Sequence, residues 1–188
     1  MKDEIKSQLD ESIQVKEKMK GNVSDIEASV KIIVDAFRAG NKVLLCGNGG
    51  SAADCQHIAG EFVGRFKKER RALSAIALTT DTSILTALVN DYGGDVIFSR
   101  QVEALGRKGD VLIAISTSGS SPNIIRAIEA ARSLGMKVVG LAGEKGEKMK
   151  KLCDICIMIP SQDTPRIQEG MLAVEHIICG LVEKELFK

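Results

Sequence analysis

The segment from Val43 to Glu61 constrains the fold more than any other part of this chain. A short apolar run, VLLC, ends in the glycine-rich turn GNGG, and Ser51 then begins a helical pattern. Unpaired backbone N–H groups at a helix start attract anions, and the helix dipole strengthens the attraction. His57 and Glu61 are four residues apart and therefore share one face of this helix. The segment predicts a phosphate site close to a base or metal ligand.

Short apolar runs alternate with helical segments from residue 42 onward. Most of the runs are apolar throughout, which is typical of strands that are covered on both faces. The alternation predicts the α/β class: a three-layer αβα sandwich in which helices cover both faces of a five-stranded parallel sheet. The predicted strands are Val43–Cys46, Ala75–Leu78, Val111–Ile115, Val138–Leu141 and Ile155–Ile159.

Helical patterns precede the first strand and fill the intervals between strands. Ser24 and Glu27 resemble a capping box at the start of the second helix. Because we find no linker, repeat or low-complexity segment, we predict a single domain over 1–188, with N-terminal helices in 1–40 and the parallel α/β core in 41–188. The predicted helices are 3–19, 24–37, 51–66, 82–91 continuing through 96–105, 122–134, 145–151 and 164–186.

Composition and charge exclude several classes of function. The net charge is +1 and Trp is absent, so nothing indicates a nucleic-acid partner. The charged N-terminus is not followed by a signal-peptide pattern, and no apolar run approaches the ~20 residues of a membrane span. Five cysteines, an odd number, suit a reducing compartment. We therefore expect a cytoplasmic protein with neither a nucleic-acid nor a membrane partner.

Two other patterns are interpreted as structural. Cys153 and Cys156 have no second cysteine pair that would complete a zinc site. Residues three apart on a strand point to opposite faces, so both thiols are interpreted as core packing. The basic runs at 67–71 and 148–151 are interpreted as solvated surface.

The third predicted strand ends in a second candidate phosphate loop, STSGSSP. Pro122 is a good first residue for the next helix, which makes Ser121 the predicted N-cap. Five hydroxyls and free backbone donors at a helix start suit a dianionic phosphate. Either loop alone could be a simple turn, but two such loops in one parallel sheet indicate phosphate binding. The spacings of a dinucleotide fingerprint and of a P-loop are absent.

Polar residues on two helices are compatible with two kinds of chemistry. His57 and Glu61 share a helix face, and Gln168 and His176 are about two turns apart in the last helix. The histidines and the glutamate are competent zinc ligands, and the glutamine can be a weaker oxygen ligand. A glutamate and a histidine also suit the general acid–base work of an aldose–ketose isomerase. Spacing alone leaves both readings open, together with the simpler one of hydrogen-bonded polar residues.

These motifs resemble those of the phosphoheptose isomerase family, within the sugar isomerase (SIS) domain group. The serine loop alone indicates only a phosphosugar, whereas H-x-x-x-E combined with Q-x-x-x-x-x-x-x-H is much more specific. The similar stretches span nearly the whole chain: CGNGGSAADCQHIAGEFVGRF, LSAIALTTDTSILTALVNDYG, ISTSGSSPNIIRAI and TPRIQEGMLAVEHIICGLVE. One departure is Ser74, where many relatives have a proline.

The resemblance implies a flavodoxin-like SIS fold and a defined reaction. Sedoheptulose 7-phosphate would be converted to D-glycero-D-manno-heptose 7-phosphate through an enediol. This reaction would begin the synthesis of ADP-heptose or GDP-heptose precursors, for example for lipopolysaccharide.

The same resemblance implies roles for individual residues. Glu61 would be the base that moves a proton between C1 and C2, and His176 would be its acid–base partner. One Zn²⁺ per subunit would be bound by His57, Glu61, Gln168 and His176. The two roles of Glu61 conflict, because a carboxylate held by zinc is a poorer base. The implied substrate-binding residues are Asn48, Gly49, Gly50, Ser51, Glu61, Asn90, Asp91, Ser116, Thr117, Ser118, Ser121 and Gln168.

Members of this family form homotetramers with sites built between subunits. The apolar stripe from Ile26 to Phe37 is compatible with such an interface and equally with a core-facing helix. Two alternative functions remain open: an SIS isomerase for another phosphosugar, and a non-enzymatic regulatory tetramer that binds a replication initiator protein. The presence of both Glu61 and His176 favours an enzyme.

Overall fold

The structure is a computed structural model that describes residues 1–187. Two helices precede the sheet: α1 spans Lys2–Lys18 and α2 spans Val23–Arg38, and a 3₁₀ turn over Met19–Asn22 joins them. Because the chain passes directly from this turn into α2, Ser24 lies inside the helix and not at its N-cap. The predicted capping box is therefore wrong.

Five parallel strands in the order β2-β1-β3-β4-β5 form one sheet, which confirms the predicted α/β class. The direction of the strand order reverses between β1 and β3, and such a reversal leaves a crevice beyond the carboxyl ends of the strands. Gly47 and Ile115 are opposite each other in the register, so the loops that follow these two strands begin side by side. The strands are β1 Val43–Gly47, β2 Ala75–Ala77, β3 Val111–Ser116, β4 Lys137–Gly143 and β5 Ile155–Ile159.

Six further helices lie among and after the strands. The predicted segments 82–91 and 96–105 do not form one continuous helix, because Gly93 has a φ of 85° and ends the first of them there. Few residues other than glycine adopt this left-handed conformation. A 3₁₀ turn over Gly94–Val96 follows. The helices are α3 Gly50–Val63, α4 Thr82–Tyr92, α5 Ser99–Leu105, α6 Pro122–Ser133, α7 Glu147–Lys150 and α8 Thr164–Leu186.

The core lies in two layers because successive strand residues point to opposite faces. Val43 and Leu45 pack into the cluster that α2, α3 and α8 cover. Leu44 and Cys46 pack on the other face, where Ile128 of α6 meets them. This arrangement confirms the three-layer sandwich. It also places α3 and α8, which carry His57, Glu61, Gln168 and His176, on the same face of the sheet.

Cys153 and Cys156 both pack against the core, as predicted, but not on opposite faces. A Cβ built on Gly140 would lie 2.7 Å from Cys153 Sγ and 3.0 Å from Cys156 Sγ. Cys153 lies in the turn before β5, where the alternation of strand residues does not apply. The two thiols therefore share one pocket of the core.

None of the helices within residues 1–187 combines the length and the apolarity needed to cross a lipid bilayer. The longest, α8, has 23 residues but carries charged side chains along its length.

Candidate active site

Three of the four predicted metal ligands meet between α3 and α8. His57 Nε2 lies 2.8 Å from His176 Nε2 and 3.5 Å from Glu61 Oε1. The candidate ligand atoms of His57, Glu61 and His176 all lie within 4.8 Å of one another. The i,i+4 spacing predicted the His57–Glu61 pair, but only the packing of the two helices brings His176 to it.

Gln168 lies elsewhere along the same pair of helices. Its side-chain amide is in direct contact with the backbone of Gly50, in the first turn of α3. Gly49, the residue before it, has a φ of 56°, which explains why glycine occupies this turn. Gln168 is therefore placed against the glycine loop, about two helical turns before His176 on α8.

The serine loop after β3 surrounds a small set of hydroxyl groups. Ser116 Oγ lies 3.3 Å from Ser121 Oγ and also accepts a hydrogen bond from the Gly119 N–H at 3.2 Å. The Ser118 hydroxyl accepts from the N–H and the hydroxyl of Ser120. Ser121 is the N-cap of α6 as predicted, yet its hydroxyl caps no backbone N–H of the described chain. That hydroxyl is therefore available to a ligand.

An amide pair that the sequence did not reveal joins the two loops. Asn48 and Asn123 each donate from Nδ2 to the other's Oδ1, both at 2.9 Å. Ser51, in the first turn of α3, is 3% exposed. The only sequence signal for Asn123 was its position immediately after Pro122, at the start of a helix next to the serine loop. The pair fixes the two helix starts relative to each other.

Asn90 and Asp91 stand apart from the clustered residues. They are exposed at the end of α4, and Asn90 Nδ2 donates to Asp91 Oδ1 at 2.8 Å. Within the described residues of a single chain, Asn90 and Asp91 thus make no side-chain hydrogen bond to the rest of the predicted site.

Comparison with known proteins identifies the family. Residues 9–143 match the SIS domain family. A phosphoheptose isomerase from Geobacter sp. (strain M21) is 57% identical over 188 residues, which cover 100% of this chain and 98% of that protein. This chain belongs to the phosphoheptose isomerase family of SIS-domain proteins.

Solved structures of the family share the whole fold. A phosphoheptose isomerase from Neisseria gonorrhoeae superposes with a TM-score of 0.92 at 41% identity, covering 97% of this chain and 98% of that chain. A second, from Francisella tularensis, gives a TM-score of 0.93 at 38% identity and covers 97% of each chain. The match to these isomerases covers α3, α8 and the two loops, because it extends over nearly the whole chain.

A buried carboxyl group lies directly behind the site of this family member. Glu175, next to His176 in sequence, is 2% exposed, and neither of its oxygens has a hydrogen-bond partner within residues 1–187. Burial, followed by the nearby Asp54 carboxylate, raises the pKa of Glu175 to about 8. Burial also raises the pKa of Asp54, against the opposing effect of His57. The sequence pattern gave no signal for this pair.

The basic run at 67–71 is not all solvated surface, contrary to the interpretation above. The Arg70 side chain is 1% exposed and forms an ion pair with Glu183 of α8. Phe66, just before this run, stacks on His176 with ring centroids 5.7 Å apart. The spacing of seven residues between His176 and Glu183 could have indicated a shared helix face, but not the partner of Glu183.

Proposed function

We propose that this chain interconverts sedoheptulose 7-phosphate and D-glycero-D-manno-heptose 7-phosphate. The observation that carries the proposal is the meeting of His57, Glu61 and His176 between α3 and α8, because α3 begins at the donor-rich glycine loop. Relatives that match this chain over nearly its full length are named phosphoheptose isomerase.

The phosphate group is bound at the two helix starts. The hydroxyls of Ser51, Ser116, Ser118 and Ser121 donate to its oxygens, helped by Thr117 and by the backbone N–H groups of α3 and α6. The Asn48–Asn123 pair holds the two starts together. Gln168, with Gly49 and Gly50, lines the path from this phosphate site to Glu61.

Proton transfer between C1 and C2 is carried out by Glu61 and His176. Glu61 takes a proton from C1 of the ketose while His176 donates one to the C2 oxygen, which yields an enediol. Glu61 then returns its proton to C2 as His176 accepts the proton of the C1 hydroxyl, which yields the aldose. Atoms and charges balance, and both groups return to their starting protonation states.

We further propose that His57, Glu61 and His176 bind Zn²⁺, and that the Gln168 side chain turns away from Gly50 to supply the fourth ligand. Imidazole nitrogens and carboxylate oxygens are usual zinc ligands, and the three clustered atoms are close enough to share one ion. When bound, the ion supplies a Lewis acid that polarises a substrate oxygen. Glu61 then has to act as ligand and base at different stages of turnover.

A homotetramer in the cytoplasm completes the proposal. Ile5, Leu9 and Ile13 form an apolar stripe on α1 and are 55%, 61% and 58% exposed. Ile177 and Leu181 expose a second apolar patch on α8 beside His176. Such patches mark subunit contacts. Assembly would also bring Asn90 and Asp91 to the sugar in a neighbouring subunit's site. The five free cysteines suit a reducing compartment such as the cytoplasm.

The test is isomerisation of sedoheptulose 7-phosphate by the purified protein, before and after chelation and with zinc restored. The Glu61→Gln variant is expected to lose about 10³-fold in kcat, the contribution of a general base. Glu69→Gln is the matched control, because the Glu69 side chain is 91% exposed. Wild-type activity in Glu61→Gln would contradict the mechanism. If the wild type formed no heptose 7-phosphate with or without zinc, the assigned reaction would be wrong.

A further inference from the structure

One buried acid–base pair ties the loop after α3 to the last helix. Arg70 Nε donates to Glu183 Oε2 at 3.1 Å, and the two side chains are 1% and 3% exposed. Elsewhere in this family member most ion pairs lie on the surface, where such pairs contribute little. A buried ion pair is favourable only when further hydrogen bonds satisfy its remaining polar atoms. The hydrogen-bond partners of Arg70 and Glu183 therefore identify the segments that the pair connects.

Glu183 holds the loop by its backbone. Its Oε1 accepts from the N–H groups of Lys67 and Lys68 at 2.9 and 2.8 Å, and its Oε2 accepts from the Phe66 N–H at 3.0 Å. Together with Arg70, four donors therefore converge on one carboxylate. Burial alone would raise the pKa of Glu183, but these donors lower it below the usual value. The carboxylate is thus charged and fixes three consecutive residues of the loop.

Arg70 holds the end of α3. Its Nη2 donates to the Glu61 carbonyl at 2.7 Å, and its two Nη1 hydrogens are shared among the carbonyls of Phe62, Gly64 and Arg71 at 2.8 to 3.1 Å. The last carbonyls of a helix lack partners within the helix, and α3 ends at Val63. The guanidinium therefore caps α3 and binds the backbone of Glu61 itself.

The two halves of the pair reach both proposed proton-transfer residues. On one side Arg70 bonds to the peptide unit of Glu61. On the other side Glu183 lies about two turns beyond His176 on α8 and holds Phe66, whose ring stacks on His176 with an angle of 26° between the planes. Neither Arg70 nor Glu183 belongs to the His57–Glu61–His176 cluster, so any effect on chemistry passes through these neighbours.

We propose that the Arg70–Glu183 pair is a positioning device that sets the location of Glu61 relative to His176. This inference rests on the proposed function, because Glu61 and His176 are taken as the reacting groups. Pre-organised groups lose rate steeply when they are displaced by about 1 Å. Loss of the pair should therefore slow the chemical step and leave phosphate binding, which occurs at the other end of α3, nearly unchanged.

The chain offers a matched control for simple loss of stability. Asp110 is also a buried carboxylate, 2% exposed, and it pairs with Lys42. It accepts from the N–H groups of Lys42 and Arg107 at 3.0 and 2.8 Å. It lies just before β3, and its hydrogen-bond partners Lys42 and Arg107 belong to neither α3 nor α8. Asp110→Asn thus removes a comparable buried charge without touching α3 or α8.

The experiment compares Glu183→Gln, Arg70→Lys and Asp110→Asn with the wild type. We expect kcat for sedoheptulose 7-phosphate to fall 10- to 100-fold in the first two, with KM changed less than threefold. Asp110→Asn should lower Tm but keep kcat within about twofold. Arg70→Lys keeps the positive charge and loses the planar fork, so it provides a folded test if Glu183→Gln is too unstable.

A second readout does not depend on activity. The chain has 2 histidines, His57 and His176, and both lie at the site. In untagged, chelated protein, their Cε1–H NMR signals should shift in Glu183→Gln and Arg70→Lys and stay in place in Asp110→Asn. Unchanged kcat and unchanged signals in the first two variants would overturn the inference, as would equal changes in Asp110→Asn. If the wild type lacked the isomerase activity, the proposed reaction would fail while the NMR signals still tested the positioning.

Discussion

The backbone of Gly50 lies directly against the side-chain amide of Gln168, so that a methyl group at position 50 would overlap Nε2. This contact joins the first turn of α3 to α8 on the side of the glycine loop. The absence of a side chain at Gly50 therefore decides where Gln168 places its amide. The glycine loop is thus linked to the clustered residues by packing as well as by sequence.

Substitution of Gly50 by alanine tests this link. The added Cβ displaces the flexible end of Gln168, so we expect kcat/KM for sedoheptulose 7-phosphate to fall about tenfold. The free energy of unfolding should change by less than ~1 kcal/mol, because alanine favours the helix while the contact is lost. Gly60→Ala in the same helix is the control, since its added Cβ meets nothing within 4 Å apart from its chain neighbours and the backbone of its own helix. Equal kcat/KM values for Gly50→Ala and Gly60→Ala would show that catalysis does not depend on the position of the Gln168 amide.

Removal of an imidazole tests the zinc proposal. His57→Asn should weaken zinc binding by about 100-fold or more, because one of three clustered ligands is lost. Competition with a chromophoric chelator measures the affinity directly, without reference to activity. Glu69→Gln, with its solvated carboxylate, should bind zinc as the wild type does. Failure of the wild-type protein to compete with the chelator would remove zinc from the mechanism.

The hydroxyl of Ser121 is expected to act in binding alone. It caps no N–H of α6 in the described chain and lies 3.3 Å from Ser116 Oγ. Ser121→Ala should therefore raise KM about tenfold and leave kcat within twofold, since a lost ground-state contact affects binding of substrate and transition state equally. Steady-state kinetics measures this split. Ser133→Ala, at the far end of α6, is the control, and a fall in kcat with unchanged KM in Ser121→Ala would contradict the assignment.

Glu175 is expected to reduce the stability of the fold. A buried carboxyl group without partners loses the hydrogen bonds that it makes with water in the unfolded chain. Glu175→Leu should therefore raise the free energy of unfolding by about 1 to 3 kcal/mol, measured by urea denaturation. Glu185→Leu provides an exposed control on the same helix. A destabilised Glu175→Leu would mean that the carboxyl group has a partner in the assembled protein.

The stability supplied by Glu183 should depend on pH. Its pKa is lowered in the folded state, because the hydrogen bonds from the loop and from Arg70 outweigh burial. The folded state therefore binds the proton less strongly than the unfolded state, and the stabilisation is present above the unfolded pKa of about 4.3. It is lost as the pH falls through the lowered folded value. The difference in Tm between the wild type and Glu183→Gln should thus be largest near pH 7 and shrink below pH ~4, and a difference that grew on acidification would contradict this.

Local sequence patterns were sufficient for the class of fold and for the two loops. Runs such as Val111–Ile115 are apolar throughout, which is typical of a strand covered on both faces, and β5 has the predicted bounds. The loop residues Gly49 and Ser121 were predicted from turn and capping preferences, which depend on a few neighbouring residues. The same reasoning failed at Ser24, where a 3₁₀ turn replaced the predicted cap.

The sequence by itself determined which segments become strands, helices and donor-rich loops, because backbone preferences and apolar periodicity act over a few residues. Only the tertiary structure decided that His57 meets His176, 119 positions away, and that Arg70 is buried on Glu183, 113 positions away. These partners are chosen by the packing of α3 against α8. A charged side chain in a basic run looks the same in sequence whether it faces water or a buried carboxylate, so no local pattern could distinguish the two.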